Sequence, residues 1–218
     1  MRTIKVTGKG KIKVKPDMTR LTITLEGMYK EYGETLKHSS EDTDALKELM
    51  TQFGFDKSDL KTLNFNVNTE YESYREKDVY KQRFLGYKCV HVLKLEFESE
   101  NDRLGKILYA LANSEIHPEF RISYTVKDSE ASKNELLGNA VKDAKAKASV
   151  LADASGVTLK DIQNIDYSWG EINFEVEPMR KDMVFESRCM LAEGSYDMDI
   201  EPNDIEVTDT VTVVWEIE

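Results

Sequence analysis

The sequence is poor in the residues that most chemistry requires. It has two cysteines, Cys89 and Cys189, and three histidines, His38, His91 and His117, in 218 residues. Two cysteines this far apart make no disulfide framework and no metal-ligand spacing. Cys89 alternates with apolar residues and is expected to be a buried free thiol. Cys189 lies in a polar stretch beside Arg188, where nearby acids oppose the thiolate a reactive cysteine needs. The histidines fall in three separate elements. His91 has no second ligand at i+2 or i+4 and is expected to be hydrogen-bonded in a core or interface. No Ser/His/Asp order and no nucleophile elbow occurs. The pair Asp197/Asp199 reads as part of an acidic loop. No catalytic, cofactor-binding or metal-binding residue is therefore assigned, and no cofactor is expected.

Other absences set the broad class. No apolar run approaches the ~20 residues of a membrane helix. The start of the chain passes straight into strand pattern, without the apolar core of a secretory leader. The expectation is a cytoplasmic chain, or an exported one whose leader has been removed. Positive charge is in deficit: the net charge is -11, which repels phosphate and makes nucleic acid an unlikely partner. Residues are 40% hydrophobic and 33% charged, the balance of a globular chain with a well-solvated surface.

Periodicity supplies what is present. Ile4, Val6, Ile12 and Val14 alternate with Lys5, Lys9, Lys11, Lys13 and Lys15, a half-buried strand. Gly8 and Gly10 inside it suggest a bulge or a close backbone neighbour. Gly-Lys-Gly-Lys does not make a phosphate loop, because Pro16 and a second strand follow instead of a helix. Leu21, Ile23 and Leu25 carry that strand. A helix from about 34 to 53 presents Leu36, Thr43, Leu46, Met50 and Phe53, with Leu49 beside them. Leu63, Phe65, Val67 and Tyr71 form a third strand. Residues 72 to 85 read as a polar hairpin tip. A fourth strand carries Tyr87, Cys89, His91, Leu93, Leu95 and Phe97. A short helix follows, its cap expected at Asn101, then a strand with Phe120, Ile122, Tyr124 and Val126. A long helix begins at Ser129 or Ser132, where Ser132 and Glu135 fit a capping box. Its stripe is Leu137, Ala140, Val141, Ala144, Ala148, Leu151 and Ala152. A strand with Ile162, Ile165, Tyr167 and Trp169 succeeds it. Pattern is then lost until Ile205, Val207, Val211, Val213, Trp215 and Ile217. Residues 171 to 209 hold twelve Asp/Glu against three Lys/Arg.

One sentence is written twice. Leu36 to Phe65 and Leu136 to Tyr167 each read as helix, glycine and strand. Gly54, Phe55, Asp59, Leu60, Leu63 and Phe65 recur at the same spacing as Gly156, Val157, Asp161, Ile162, Ile165 and Tyr167, the mark of internal duplication. The expected fold is α+β, antiparallel strands with helices packed on one face and duplicated strand-strand-helix-strand units. The chain is expected to be a single domain, 1–218, of two related halves, about 1–85 and 86–218, with an acidic insertion at about 171–203. The apolar last strand needs cover from a helix or another subunit.

Five motifs in order resemble the SIMPL-domain (YggE-like) family: Val6-x-Gly8-x-Gly10 with Pro16-Asp17; Gly54 with Asp59-Leu60-Lys61-Thr62; Gly86-Tyr87; Ile122-Ser123-Tyr124-Thr125-Val126; and Ala140-x-x-Asp143-Ala144-x-x-Lys147-Ala148-x-x-Leu151-Ala152-x-x-x-Gly156. The resemblance covers nearly the whole chain except 171–203. It implies a domain of unknown biochemical function. Bacterial members are exported and linked to oxidative stress or surface antigens, and a eukaryotic relative is an adaptor for a signalling kinase. It carries over no catalytic residue. The expectation is a non-catalytic homo-oligomeric scaffold or interaction protein. The lysine face of residues 5–15 and the acidic 171–209 segment are candidates to meet, within or between subunits. The alternative is a small-molecule binder or unrecognised enzyme, with its site between sheet and long helix or at a subunit interface.

Overall fold

In a computed structural model, residues 2–76, 79–167, 172–177 and 200–218 are described. Trp169, Cys189, Asp197, Asp199 and most of the acidic insertion lie outside them. The elements in order are β1 (Arg2–Val14), β2 (Met18–Tyr29), α1 (Tyr32–Thr51), β3 (Lys61–Glu76), β4 (Val79–Glu98), α2 (Asn101–Ala112), β5 (Glu119–Thr125), α3 (Ser129–Ala154), β6 (Leu159–Asp166), the two-residue β7 (Glu175–Val176) and β8 (Ile205–Ile217). The fold is α+β, and every strand pairing with a register is antiparallel.

The chain divides into two compact units, and one is inserted in the other. Unit 1 comprises Met1–Asp17, Thr125–Val176 and Pro202–Glu218; unit 2 comprises Met18–Tyr124 and Glu177–Glu201. The boundary expected near residue 85 falls inside β4. In unit 1 the strand order is β1-β8-β6; in unit 2 it includes β3-β4-β2-β5. Each unit thus contains a strand, a helix and two strands with the third strand between the other two, and unit 2 adds α2 and β5. β2, α1, β3 and β4 correspond to β1, α3, β6 and β8. The repeat is nested rather than tandem, because β1 finds its partner β8 at the other end of the chain.

The helix ends carry the repeat into backbone detail. Gly54 and Gly156 have φ of 79° and 65°, the left-handed conformation that favours glycine after a helix. The next N–H turns back in both copies: Phe55 to the Met50 carbonyl at 3.4 Å, Val157 to the Ala152 carbonyl at 3.1 Å. α3 begins at Ser129, one of the two starts expected, but the caps differ from expectation. Asp128, not Ser132, caps α3, because its carboxylate reaches the Ala131 N–H at 2.8 Å. Asn101 is the first residue of α2 and not its cap.

In unit 1, α3 lies directly on β1. Leu136, Ala140, Ala144, Ala148 and Ala152 form a buried row of one side chain per turn. Leu151, expected in that stripe, is exposed. Opposite the row are Gly8 and Gly10. A Cβ at Gly8 would lie 2.1 Å from the Ala140 carbonyl oxygen, and one at Gly10 would lie 2.2 Å from that of Leu136. The β1–β8 register runs without a bulge, so the close neighbour explains both glycines. Ala140, Ala144 and Ala148 of this row, with Val6, Val211, Val213 and Trp215, make one cluster. A second holds Ile12, Val126, Leu136, Phe174, Ile205 and Val207. The apolar face of β8 is therefore covered within the chain. Phe174, from the stretch where pattern is lost, is buried there too.

In unit 2, α1 and α2 close the core of Leu21, Ile23, Leu46, Met50, Leu93, Leu95, Leu104 and Ile107. Arg103 lies over the Phe55 ring, 4.1 Å from its centroid, and donates to the Phe53 carbonyl at 2.9 Å. In the polar hairpin tip expected at residues 72 to 85, residues 72–76 and 79–85 are strand. β3 and β4 continue pairing to Glu76 and Val79. Cross-strand pairs hold this ribbon: Arg83 with Glu72, Lys81 with Glu76, and Tyr71 against Phe84.

Gly8→Ala is expected to destabilise the chain by about 3 kcal/mol or more, since backbone must move to admit the methyl group. Gly138→Ala meets nothing within 4 Å, and is expected to stabilise by about 0.5–1 kcal/mol through helix propensity. Urea denaturation of the two variants checks both signs.

Candidate functional site

Among the described residues, a thiol, hydroxyls and an imidazole converge beneath α1 in unit 2. The helix turns Thr35, Ser39, Thr43, Leu46 and Met50 inward. The expected stripe began at Leu36, which is exposed. Thr35 and Ser39 were missed because small hydroxyl residues on a helix read as a wet face. Here they meet the polar positions of β4. Cys89 is a buried free thiol, as expected, and donates to Ser39 Oγ at 3.3 Å.

His91 is buried between two threonines. Nδ1 lies 2.9 Å from Thr43 Oγ1 and Nε2 lies 2.9 Å from Thr62 Oγ1. Thr43 Oγ1 donates its one proton to the Ser39 carbonyl at 2.7 Å. It must therefore accept from Nδ1–H, which leaves Nε2 to accept from the Thr62 hydroxyl. Hydrogen bonding thus selects the neutral Nδ1–H tautomer. Phe65 stands edge-on to the ring, with centroids 5.1 Å apart. Burial, and secondarily the charge of Lys47, holds the imidazole pKa below its ordinary value of 6.5. No carboxylate orients this ring, and both nitrogens are occupied. The neighbouring cavity, lined by Thr35, Ser39, Asp42 and Cys89, is about 10 Å³, room for about one water.

The other histidines lie apart from this cluster. His38 stacks on Tyr29 at 4.3 Å and meets Glu41 at 3.2 Å. His117 has φ of 43° and bonds the Glu115 carbonyl at 2.8 Å. Among the described residues, no group of three His, Cys, Asp or Glu is arranged to hold a metal.

A larger hollow lies on the sheet face away from α1. It is about 270 Å³ and lined by Thr22, Thr24, Val92, Glu119, Phe120 and Arg121. Nearby, Arg20 and Lys94 hold Glu96 at 2.7 and 3.1 Å. Burial would raise the Glu96 pKa, but these hydrogen bonds and charges outweigh it and lower it. Where α3 meets β1, the contact at Gly8 and Gly10 leaves no room for a side chain between them.

The residues carrying the recognisable sequence blocks are engaged in packing. Asp143 accepts from the Lys9 N–H of β1 at 2.7 Å and pairs with Lys147 at 2.7 Å. These bonds, Lys147 first, lower the Asp143 pKa. Gly8, Gly10, Ala140, Asp143, Ala144 and Lys147 are one helix-to-strand clamp. Two lysines of the basic face pair with acids of β8 or its approach, Lys11 with Glu206 at 2.9 Å and Lys13 with Asp204 at 3.3 Å.

Residues 4–215 match the SIMPL family, described as a protein of unknown function (DUF541). The chain belongs to the SIMPL family. It is also similar to a 26 kDa periplasmic immunogenic protein of Brucella melitensis biotype 1, 28% identical over 163 residues, or 74% of this chain. The matched stretch spans 65% of that protein's length. Among the described residues, no helix of this SIMPL protein is long and apolar enough to cross a membrane.

The His91 geometry predicts a pH dependence. The unfolded ring binds a proton near pH 6.5 and the folded ring only at lower pH. Stability is therefore full above that value and falls as pH drops below it. Chemical denaturation at pH 7.5 and 5.5 should show this decline, and His91→Gln should reduce it. A second expectation concerns Tyr124, whose buried hydroxyl has no partner among the described residues. Tyr124→Phe should leave stability unchanged or raise it by about 1 kcal/mol, because it removes an unsatisfied polar atom.

Proposed function

We propose that this SIMPL protein is a non-catalytic scaffold that works by associating with further copies of itself. One observation carries this: the β3–β4 ribbon bears exposed apolar side chains beyond the unit 2 core. Tyr71, Tyr74, Val79 and Tyr80 stand along it, and Leu63 and Phe65 at its base, with Tyr80 78% exposed. Such a two-stranded ribbon is marginal alone in water and gains from cover. These side chains stand on both faces of the ribbon, and exposed apolar groups gathered on one element support a contact surface there. The buried His91 cluster supports a structural part for that histidine, since its ring nitrogens are committed to threonines. The polar contacts found within each unit leave the basic face less available for association than its composition suggested.

For location, the similarity to a periplasmic protein supports export, and export is the reading we adopt. A part in stress responses, implied by the family resemblance, fits a scaffold without catalytic groups. The alternative is a small-molecule binder using the hollow over Thr22, Thr24 and Val92. That hollow is slightly below the ~300 Å³ at which ligand pockets usually begin.

Light scattering coupled to size exclusion tests the proposal. A multiple of the 25.0 kDa chain mass is expected, and apolar contacts should keep it at high salt, where surface ion pairs weaken. A single-chain mass at every concentration and salt overturns it. A reproducible thermal shift with one metabolite, and none with its analogues, favours the alternative instead.

A further inference from the structure

Free sheet edges are usually blunted by charge, brevity or cover. In unit 1, the edge strand β1 carries Lys5, Lys9, Lys11 and Lys13, and α3 caps its Lys9 N–H through Asp143. The other edge, β6, is eight residues long, carries Lys160, Asp161 and Asp166, and has two register irregularities. In unit 2, β3 is different. It is sixteen residues long, stands at the end of its sheet, and pairs only with β4. No helix or further strand packs along its other side among the described residues.

The sequence of that edge is unusual for this chain. Residues 62 to 69, Thr-Leu-Asn-Phe-Asn-Val-Asn-Thr, contain no charge, although a third of all residues are charged. They contain no proline or glycine either, so nothing local opposes strand addition. The two bulges, between Thr62 and Asn64 and between Glu70 and Tyr71, bracket the run Asn64–Glu70 and leave it regular. Within the run, Asn64, Asn66 and Asn68 oppose Val92, Val90 and Lys88 on one face, while Phe65 and Val67 oppose His91 and Cys89 on the other.

We propose that two copies of this chain join through β3, antiparallel and centred on Asn66, so that the unit 2 sheet continues from one copy into the other. The inference rests on the self-association proposed above and names its surface. Antiparallel pairing about Asn66 is self-complementary. Asn64 lies opposite Asn68 of the partner subunit, Phe65 opposite Val67 of the partner subunit, and Asn66 opposite its own counterpart. Amide meets amide on one face and apolar meets apolar on the other. An isologous contact of this kind closes at two copies. A second copy is the occupant because the run is neutral: two chains of net charge -11 repel one another, least where no charge stands at the seam. A foreign acidic or basic peptide finds no counter-charge there. Main-chain hydrogen bonds supply the affinity, as in strand addition generally.

The test uses the full chain with Asn66→Lys and Asn66→Asp. Either variant places two like charges at the two-fold axis, and each is expected to weaken association by about a hundredfold. Circular dichroism and thermal melting confirm that each variant folds. Mixing the two should restore a dimer of one copy of each, with amide exchange at 64–68 slowed again. If the native chain associates and Asn66→Lys associates equally well, the β3 interface is overturned while self-association stands. If both variants dissociate but their mixture does not recover, the register is overturned. If the native chain is a monomer throughout, both proposals fall.

Discussion

The contact of α3 with β1 is the constraint on which unit 1 depends. Helices usually ride on sheets with two layers of side chains between the backbones. Here a Cβ at Gly8 or Gly10 would fall within about 2 Å of helix backbone, so the layer is missing on the strand side. On the helix side it is reduced to alanine. Dispersion forces then act between backbones in direct contact, and a single methyl group has nowhere to go. Asp143 adds a polar anchor by accepting the Lys9 N–H, which as an edge donor would otherwise face water. Lys147 holds that carboxylate in place.

This contact also ties the ends of the chain together. β1 is completed by α3 and β8, more than a hundred residues away, with all of β2 to α2 between. Unit 2 depends less on such closure: β2, α1, β3 and β4 follow one another, its core cluster is drawn from residues 21 to 122, and only β5 returns from afar to lie beside β2. Loop closure costs entropy before long-range contacts repay it. Unit 2 is thus the part able to form from local contacts, and unit 1 the part that must wait for both termini.

Much of this was legible in the sequence, and the failures have physical causes. The glycines at 54 and 156 announced the repeat because a left-handed residue after a helix is a local requirement. Alternation found the strands of the cores. Nesting was invisible, because periodicity reports faces and not partners; nothing in Val6 or Gly8 names Val213 or Ala144. The extent of strand in the polar hairpin tip was hidden because both of its faces are wet, so alternation of burial vanishes while hydrogen bonding persists. Thr35 and Ser39 were hidden for the opposite reason: they are polar residues turned inward by partners, Cys89 and the Tyr87 carbonyl, lying about fifty residues away. Asp128 took the cap from Ser132 because capping depends on where the first turn actually starts. Phe174 was lost in an acidic stretch whose composition masked one good anchor.

The two copies of the repeat have come to differ at the same place. β6 ends at Asp166 and is tied to its own sheet by charged and polar side chains, Lys160 to Glu218 at 2.6 Å and Gln163 to Glu216 at 3.2 Å. β3 runs eight residues longer, and over residues 62–69 it carries threonine, asparagine and apolar side chains in place of such groups. Its inner face is supported by His91, which reaches it through Thr62, beside the first bulge. A histidine whose two nitrogens join helix, middle strand and edge strand fixes the edge without adding charge to it. A lysine or glutamate could make the same ties only by carrying charge to the edge. The buried histidine and the uncharged edge are therefore parts of one arrangement: the edge can stay neutral and regular because its bracing comes from beneath.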